Sequence, residues 1–299
     1  LLHAEGDTKT YRNVLIISFF LNIILNPIFI FGFIFIPALG IKGIAVATLI
    51  AQSVALIIII FKVISNKRVK EITKEFFLIK FYYLKNIFFQ SMPITIAISG
   101  YSIAASIVFT FIGLSGENAV AGYGAATRIE QVVLLPILGI NTAIISIISQ
   151  NFGANHFDRI KQTYFTSIKF GLFIMIFSGI LVYFTSGIVP SFFSNNSEVI
   201  DYGTRYLKIA AFILPAYPIF FLSNGFFMAL KKSENAMINN LLRNVLVPIS
   251  VFYLAKHLSA DYNNFFWIWG VFQWSLSLLL FLFVIYYMKY KLEKSSGVT

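Results

Sequence analysis

The stretch GIAVATLIAQSVALIIIIFKVI, residues 43–64, decides the fold class, because it is one apolar run with a single charge, at Lys62. A helix needs about 20 apolar residues to cross the roughly 30 Å hydrocarbon core of a bilayer, and this run is long enough. A segment that spans a membrane must be a helix or a strand of a closed barrel. The residues of this run do not alternate between apolar and polar as those of a barrel strand would. We therefore predict a transmembrane helix.

Seven further runs of the same kind predict an all-α integral membrane protein with eight transmembrane helices. The composition agrees, since 58% of the residues are hydrophobic and only 12% are charged, against about 25% charged in soluble proteins. The eight predicted spans are 14–35, 43–64, 87–113, 120–148, 165–189, 204–229, 236–256 and 265–288.

The basic residues indicate a membrane topology and not a nucleic-acid surface, despite a net charge of +11. Sixteen of the 23 Lys and Arg residues fall into alternate gaps between the predicted spans, while Lys42, Arg205, Lys208 and Lys256 lie on the opposite side. The positive-inside rule then places both ends of the chain in the cytoplasm. We expect membrane lipid, and no nucleic acid, around this protein.

Polar side chains inside the first two spans are candidates for function, because their burial in lipid costs free energy. Asn22 and Asn26 lie one helical turn apart, directly before Pro27, and Thr48 lies in the second span. Their oxygens could ligate a small cation or bond to a carboxylate. The alternative is that these groups only join two helices.

Glu130 is the one carboxylate that lies clearly within a predicted span, and Thr127, Gln131 and Asn141 can share its polar face. An acid at this depth predicts proton or cation coupling, or the binding of a cationic solute. The alternative interpretation is a structural acid that pairs with a neighbouring Arg or hydroxyl. Arg128 is two residues away, so the two side chains do not face each other directly.

Other polar residues and prolines predict a substrate cavity and points of bending. Hydroxyls recur along the third span at steps of three and four, a stripe that permits either close helix packing or a wet cavity. The substrate-cavity candidates are Thr95, Ser99, Ser102, Gln131, Asn141, Asn224, Asn240 and Asn244. The hinge candidates are Pro27, Pro93, Pro215, Pro218 and Pro248.

Several motifs resemble one known family over essentially the whole chain. They are EGDTK at 5–9, LNIILNPIFIFG at 21–32, LGIKGIAVAT at 39–48, RIEQVVLLPILGI at 128–140 and QNFGA at 150–154. Together they are similar to motifs of the multidrug and toxic compound extrusion (MATE) transporters. The resemblance implies a two-lobed antiporter of six plus six helices, of which this chain is the C-terminal part, helices 5–12, with the first four missing.

The resemblance also implies a domain organisation and a mechanism. The last two helices of the N-terminal lobe would occupy 1–64, a basic cytoplasmic loop 65–86, the six-helix C-terminal lobe 87–290 and a cytoplasmic tail 291–299. Such a protein exports organic cations and drugs by antiport with Na⁺ or H⁺ through alternating access. It implies a monomer in the bacterial inner membrane that uses no cofactor besides the coupling ion.

The family's cation-binding residues match this chain unevenly. Asn22, Asn26 and Thr48 correspond to the network of the N-terminal lobe, where Asn26 replaces an acid found in some members. The acids that some bacterial members carry in helices seven and ten have no counterpart, because spans 87–113 and 204–229 contain no Asp or Glu. Glu130 is therefore our candidate for cation coupling in the second lobe.

Two other functions remain open on the sequence alone. The same superfamily includes flippases of lipid-linked saccharides, whose cavities carry several basic residues. Here only Arg128, Lys169 and Arg243 lie inside or near spans without being assigned to either side of the membrane. A membrane-embedded enzyme such as a prenyl transferase needs paired aspartates, and the chain has no such pair. The three histidines have no metal-site spacing. We therefore expect neither enzymatic activity nor a metal site.

Overall fold

A computed structural model describes residues 8–33, 37–65, 81–258 and 261–292. These residues are almost entirely helical, which confirms the all-α class. Most of the predicted loop at 65–86 and of the predicted tail at 291–299 lies outside the described residues, as does the start of the motif at 5–9.

The chain divides into two compact units, Leu1–Leu84 and Lys85–Thr299. The described helices of the first unit are α1 (Thr8–Phe31) and α2 (Ile41–Ile64). Helix α3 (Phe81–Gly113) begins just before the division. The second unit continues with α4 (Glu117–Gly153), α5 (Phe157–Thr185), a 3₁₀ turn (Val189–Phe192), α6 (Ser197–Ile213), α7 (Ala216–Ala229), α8 (Ser233–Leu241), a π-helical segment (Leu242–Leu246), α9 (Val247–His257), α10 (Tyr262–Tyr287) and a second π-helical segment (Met288–Leu292).

In the first unit, small residues at steps of four allow α1 and α2 to approach closely. Gly43, Ala47 and Ala51 are the buried residues of α2. A Cβ at Gly43 would overlap the backbone carbonyl of Phe29 in α1, so only glycine fits at this position. Small residues at this spacing are the usual means of packing helices in a membrane, where van der Waals contact replaces the hydrophobic effect.

Six described segments are long and apolar enough to cross a membrane, and the predicted number of eight is not confirmed. The six are Lys9–Phe31, Ile41–Ile64, Glu117–Gly153, Phe157–Thr185, Ser233–His257 and Tyr262–Tyr290. The predicted span 204–229 is not one helix, because α6 and α7 meet at a 54° bend, and counting this pair as one broken span gives seven. Helix α3 contains the predicted span 87–113, and the fully described part of it includes the apolar stretch Ser102–Gly113.

Helix α7 lies at the centre of the second unit. Twelve of its 14 residues are buried, and it packs against α4, α5, α8 and α10. Phe220, Phe226 and Phe227 are at most 1% exposed. A helix that is apolar on all sides is a core helix, and the polar side chains of α7 therefore face protein and not lipid.

The bend between α6 and α7 has its cause in Pro215. Proline has no N–H, so the carbonyl of Ala211 lacks the donor that a regular helix would supply. The next carbonyl, that of Phe212, accepts a 2.9 Å hydrogen bond from the indole Nε1 of Trp274 in α10. Helix α5 packs against the Ala211 carbonyl, since a Cβ at Gly179 of α5 would lie only 2.7 Å from its oxygen. Neighbouring helices thus cover the exposed backbone, as the absence of water in lipid requires.

Candidate functional site

Glu130 lies half-buried on α4 and accepts hydrogen bonds from two tyrosines of the bent helix pair. One carboxylate oxygen accepts from the hydroxyl of Tyr206 in α6, and the other accepts from the hydroxyl of Tyr217 in α7. Both tyrosines are buried, whereas Arg128 is exposed. The carboxylate therefore joins α4 to the chain on both sides of the bend.

A buried cation, Arg243, lies beside one of these tyrosines. Its side chain is 8% exposed, and its Nε donates a 2.6 Å hydrogen bond to Oε1 of Gln273 in α10. The guanidinium carbon lies 4.2, 4.6 and 5.3 Å from the ring centres of Phe220, Tyr217 and Phe221. Aromatic faces at this distance attract a cation and offset part of the free energy that its burial costs.

We call Glu130, Tyr206, Tyr217, Arg243 and Gln273 the acid–base cluster. Tyr217 connects the two charged groups, because its hydroxyl donates to Glu130 and its ring face lies against Arg243. The half-buried carboxylate and the buried guanidinium thus contact different parts of one tyrosine side chain.

Arg243 lies in the π-helical segment Leu242–Leu246. The N–H of Val247 donates to the carbonyl of Leu242, five residues earlier, and Pro248 follows directly. Short π-helical segments are rare and occur frequently at functional sites. The wider turn changes the faces that the following residues occupy, so regular i, i+4 spacing does not hold across it.

A second polar group lies between α4, α7 and α8. Asn224 is 5% exposed, and its Oδ1 accepts a 3.2 Å hydrogen bond from Nδ2 of Asn239. Asn141 fits beside Gly225, because its Oδ1 occupies the position that a Cβ would take. Within the described part of the chain, Asn141 Oδ1 and Asn224 Nδ2 are buried and have no hydrogen-bond partner. One acceptor and one donor are thus available to a polar ligand or to water.

The structure brings together the three predicted residues of the first unit. Asn26 Nδ2 donates to Asn22 Oδ1 over 2.7 Å, and Asn22 Nδ2 donates to Thr48 Oγ1 over 3.3 Å. Thr48 donates in turn to the carbonyl of Ile44. The chain of bonds ends at Asn26 Oδ1, which is buried without a partner among the described residues. A role in cation binding stays a prediction.

The remaining substrate-cavity candidates belong neither to the acid–base cluster nor to the polar group around Asn141 and Asn224. Thr95, Ser99, Ser102 and Gln131 are exposed, and the hydroxyls of Thr95 and Ser99 donate to carbonyls of their own helix. Asn240 donates to Ala236 over 2.7 Å.

Asn244 lies against α3, since a Cβ at Gly100 would come within 3.8 Å of its Cβ. Asn240 and Asn244 therefore have different surroundings, on either side of the start of the π-helical segment.

The hinge candidates occupy different settings. Pro215 lies at the 54° bend, and Pro248 follows the π-helical segment. Pro218 packs inside α7 against Gly171 of α5. Pro27 lies inside helix α1, which continues past it, and Pro93 lies within the residue range of α3.

Sequence reasoning missed four residues of these groups: Tyr206, Tyr217, Asn239 and Gln273. Gln273 was detectable, because it is a carboxamide in the middle of an apolar run and burial in lipid makes such a residue costly. The tyrosines had no comparable signal, since the chain has 15 of them and most aromatic residues in spans only pack.

Comparison with known proteins adds family relationships to this geometry. A sequence model of the MatE family matches residues 93–254. An FAD transporter of Shewanella oneidensis is 25% identical over 260 residues, which are 86% of this chain and 57% of that protein. The probable multidrug resistance protein YpnP of Bacillus subtilis is 28% identical over 253 residues, 82% of this chain and 53% of that protein. The chain thus spans about half the length of the curated relatives it matches.

Solved structures share the fold. A crystal structure of a MATE protein in its straight conformation superposes with a TM-score of 0.88 and 22% identity, over 98% of this chain and 65% of that one. At this identity the likeness concerns the arrangement of helices alone.

Proposed function

The chain belongs to the MatE family of transporters, and we propose on that premise that it exports organic cations and drugs by antiport with H⁺ through alternating access. The observation that carries the proposal is the hydrogen bonding of Glu130, whose two oxygens accept from tyrosines on opposite sides of the α6–α7 bend. The acid thus holds the one described helix pair that is bent by more than 40° at a short break.

Protonation of Glu130 changes these contacts directly. A carboxylate accepts both tyrosine hydroxyls, whereas a carboxylic acid has one donor and reduced accepting capacity. One of the two tyrosine contacts is then lost or reversed. Proton uptake therefore loosens α4 from α6 or α7 and favours the alternate arrangement that an antiporter needs.

The described surroundings of Glu130 favour a proton over a metal cation. Hard cations take several oxygen ligands at once. Both oxygens of Glu130 are engaged by tyrosine hydroxyls, and the cluster contains a guanidinium that would repel a second cation. A proton needs one oxygen only. Asn22, Asn26 and Thr48 are the residues at which Na⁺ coupling would act instead.

The substrate class has two candidates. The name of the Bacillus subtilis relative supports drug export, and that of the Shewanella oneidensis relative supports a flavin dinucleotide, which is an anion. The unpartnered atoms of Asn141 and Asn224 suit the hydrogen-bonding groups of either class. A flippase of lipid-linked saccharides has less support, because three aromatic rings enclose the guanidinium of Arg243.

The test is transport by the full-length protein in everted membrane vesicles, with ethidium or FAD as substrate and an imposed H⁺ or Na⁺ gradient. We expect Glu130→Gln to abolish H⁺-driven export. Glu117→Gln, which changes an exposed acid in the first turn of the same helix, is the matched control and should transport normally. Unchanged export by Glu130→Gln would refute the role of this acid, and export that follows only the Na⁺ gradient would refute H⁺ coupling.

A further inference from the structure

An apolar groove lies on the outside of the second unit. It has a volume of about 480 Å³ and is lined by apolar side chains of α5, α6 and α10, among them Ile176, Tyr183, Phe212, Pro215 and Trp274. None of its lining residues belongs to the acid–base cluster.

The groove is a consequence of the helix break. Pro215 ends the regular course of α6, and α7 leaves at 54°. Gly179, which lines the same groove, has no side chain to fill the space. The indole N–H of Trp274 donates to the Phe212 carbonyl, so these two polar groups bond to each other. The wall of the groove is therefore apolar.

The rim of the groove is exposed and apolar, and we expect it to face the hydrocarbon of the bilayer. Phe184, Phe212 and Ile180 are 78%, 55% and 54% exposed, and all three lie in helices that form predicted spans. Water does not enter an apolar space of this kind, and an empty one forfeits dispersion contacts. A flexible acyl chain is the bilayer component that can fill it.

A positive charge lies one turn away from the groove. Lys208 is exposed and precedes the lining residues Ala211 and Phe212 by three and four positions, so it shares their face of α6. Its side chain leans toward the N-terminus of α6, and its long stem can carry the ammonium to the membrane interface. Arg205, one turn further, pairs with Asp201 at 2.6 Å. Lys208 has no ion pair among the described residues.

We propose that this groove binds an anionic glycerophospholipid, with one acyl chain along Ile176, Gly179 and Trp274 and the phosphate at Lys208. The apolar wall selects an acyl chain, and the ammonium at the rim selects a negatively charged headgroup. Free phosphate gains nothing from the apolar wall, and a drug cation is repelled by Lys208. The inference is independent of the proposed transport function, because it involves no residue of the acid–base cluster.

Fluorescence of Trp274 tests the proposal. Trp267→Phe and Trp269→Phe leave Trp274 as the remaining tryptophan of the chain's three. The full chain is reconstituted in phosphatidylcholine vesicles that contain phosphatidylglycerol with brominated acyl chains, because bromine quenches an indole that it touches. We expect quenching at a lower mole fraction of this lipid than of brominated phosphatidylcholine.

Charge variants locate the headgroup. Lys208→Gln should lower the apparent affinity for the anionic lipid about fivefold, the effect expected for one basic residue near a membrane surface, whereas Lys208→Arg should retain it. Lys256→Gln is the matched control, since Lys256 is exposed and lies on α9, which does not line the groove. Ile180→Phe narrows the groove and should weaken quenching by both lipids while far-UV circular dichroism is unchanged.

Two results would overturn the proposal. Equal quenching by the two brominated lipids, unaffected by Lys208→Gln, would mean that the groove meets only bulk lipid. Absence of quenching together with a dimer in cross-linking would mean that a second copy of the chain covers the groove.

Discussion

The guanidinium carbon of Arg243 lies 4.6 Å from the centre of the Tyr217 ring. The same ring carries the hydroxyl that donates to Glu130, so one side chain is in contact with a buried cation and with a half-buried acid. Each charge is therefore stabilised through a different part of one tyrosine. Changes at any of these three positions should affect the other two.

Replacement of Arg243 by lysine should lower the free energy of unfolding by about 1–3 kcal/mol, because lysine lacks the planar group that stacks on three rings and the Nε–H that bonds to Gln273. Unfolding in mixed detergent micelles measures the change. Arg205→Lys is the control, since Arg205 forms an exposed pair with Asp201 and such pairs contribute about 0–1 kcal/mol. Equal effects of the two substitutions would contradict the role assigned to Arg243.

Trp274→Phe should destabilise the protein by about 1–3 kcal/mol, because it removes the donor to the Phe212 carbonyl in a region without water. The loss appears in the same unfolding measurement. Trp267→Phe changes a tryptophan that is 47% exposed on the same helix and should have little effect. The prediction fails if Trp267→Phe costs as much as Trp274→Phe.

Two glycine-to-alanine substitutions should change the free energy of unfolding in opposite directions. At Gly179 a Cβ would lie 2.7 Å from the Ala211 oxygen, and the required backbone shift should cost about 1–3 kcal/mol. At Gly139, in α4, a Cβ meets nothing within 4 Å, so the higher helix propensity of alanine should stabilise by up to about 1 kcal/mol. Thermal unfolding of both variants decides the matter, and a stabilised Gly179→Ala variant would show that α5 does not approach the break closely.

Asn22 and Thr48 should be energetically coupled across α1 and α2. A double-mutant cycle with Asn22→Leu and Thr48→Val should give a coupling free energy of about 0.5–1 kcal/mol, the range of polar contacts between membrane helices. Ser53→Ala, at an exposed site of α2, should show no coupling to Asn22→Leu. Additive effects of Asn22→Leu and Thr48→Val would mean that the 3.3 Å contact contributes nothing.

The sequence predicted contacts that depend on local spacing or on consecutive helices. Asn22 and Asn26 are one turn apart, and the helix of Thr48 follows directly, so this group could be recognised from helical geometry alone. Glu130 was recognisable as an acid in an apolar run. Its partners were not, because Tyr206 and Tyr217 are 76 and 87 residues further along the chain and resemble packing aromatics.

The π-helical segment explains a second difference. Asn240 and Asn244 were both predicted to line the substrate cavity, and four-residue spacing would place them on one face of an unbroken α-helix. The segment Leu242–Leu246 begins between them, and the residue that contacts Asn224 is Asn239. Pro248 indicated a disturbance of the helix, but a proline in the sequence does not reveal which residues the disturbance turns toward the core.

The bond between Trp274 and the Phe212 carbonyl has a consequence for biogenesis. Its two partners are 62 residues apart, and the broken segment is synthesised before the helix that covers it. On leaving the ribosome, α6 and α7 therefore enter the membrane with a carbonyl that lipid cannot satisfy. The pair reaches its final environment only when α10 arrives, so its insertion depends on a helix that is synthesised later.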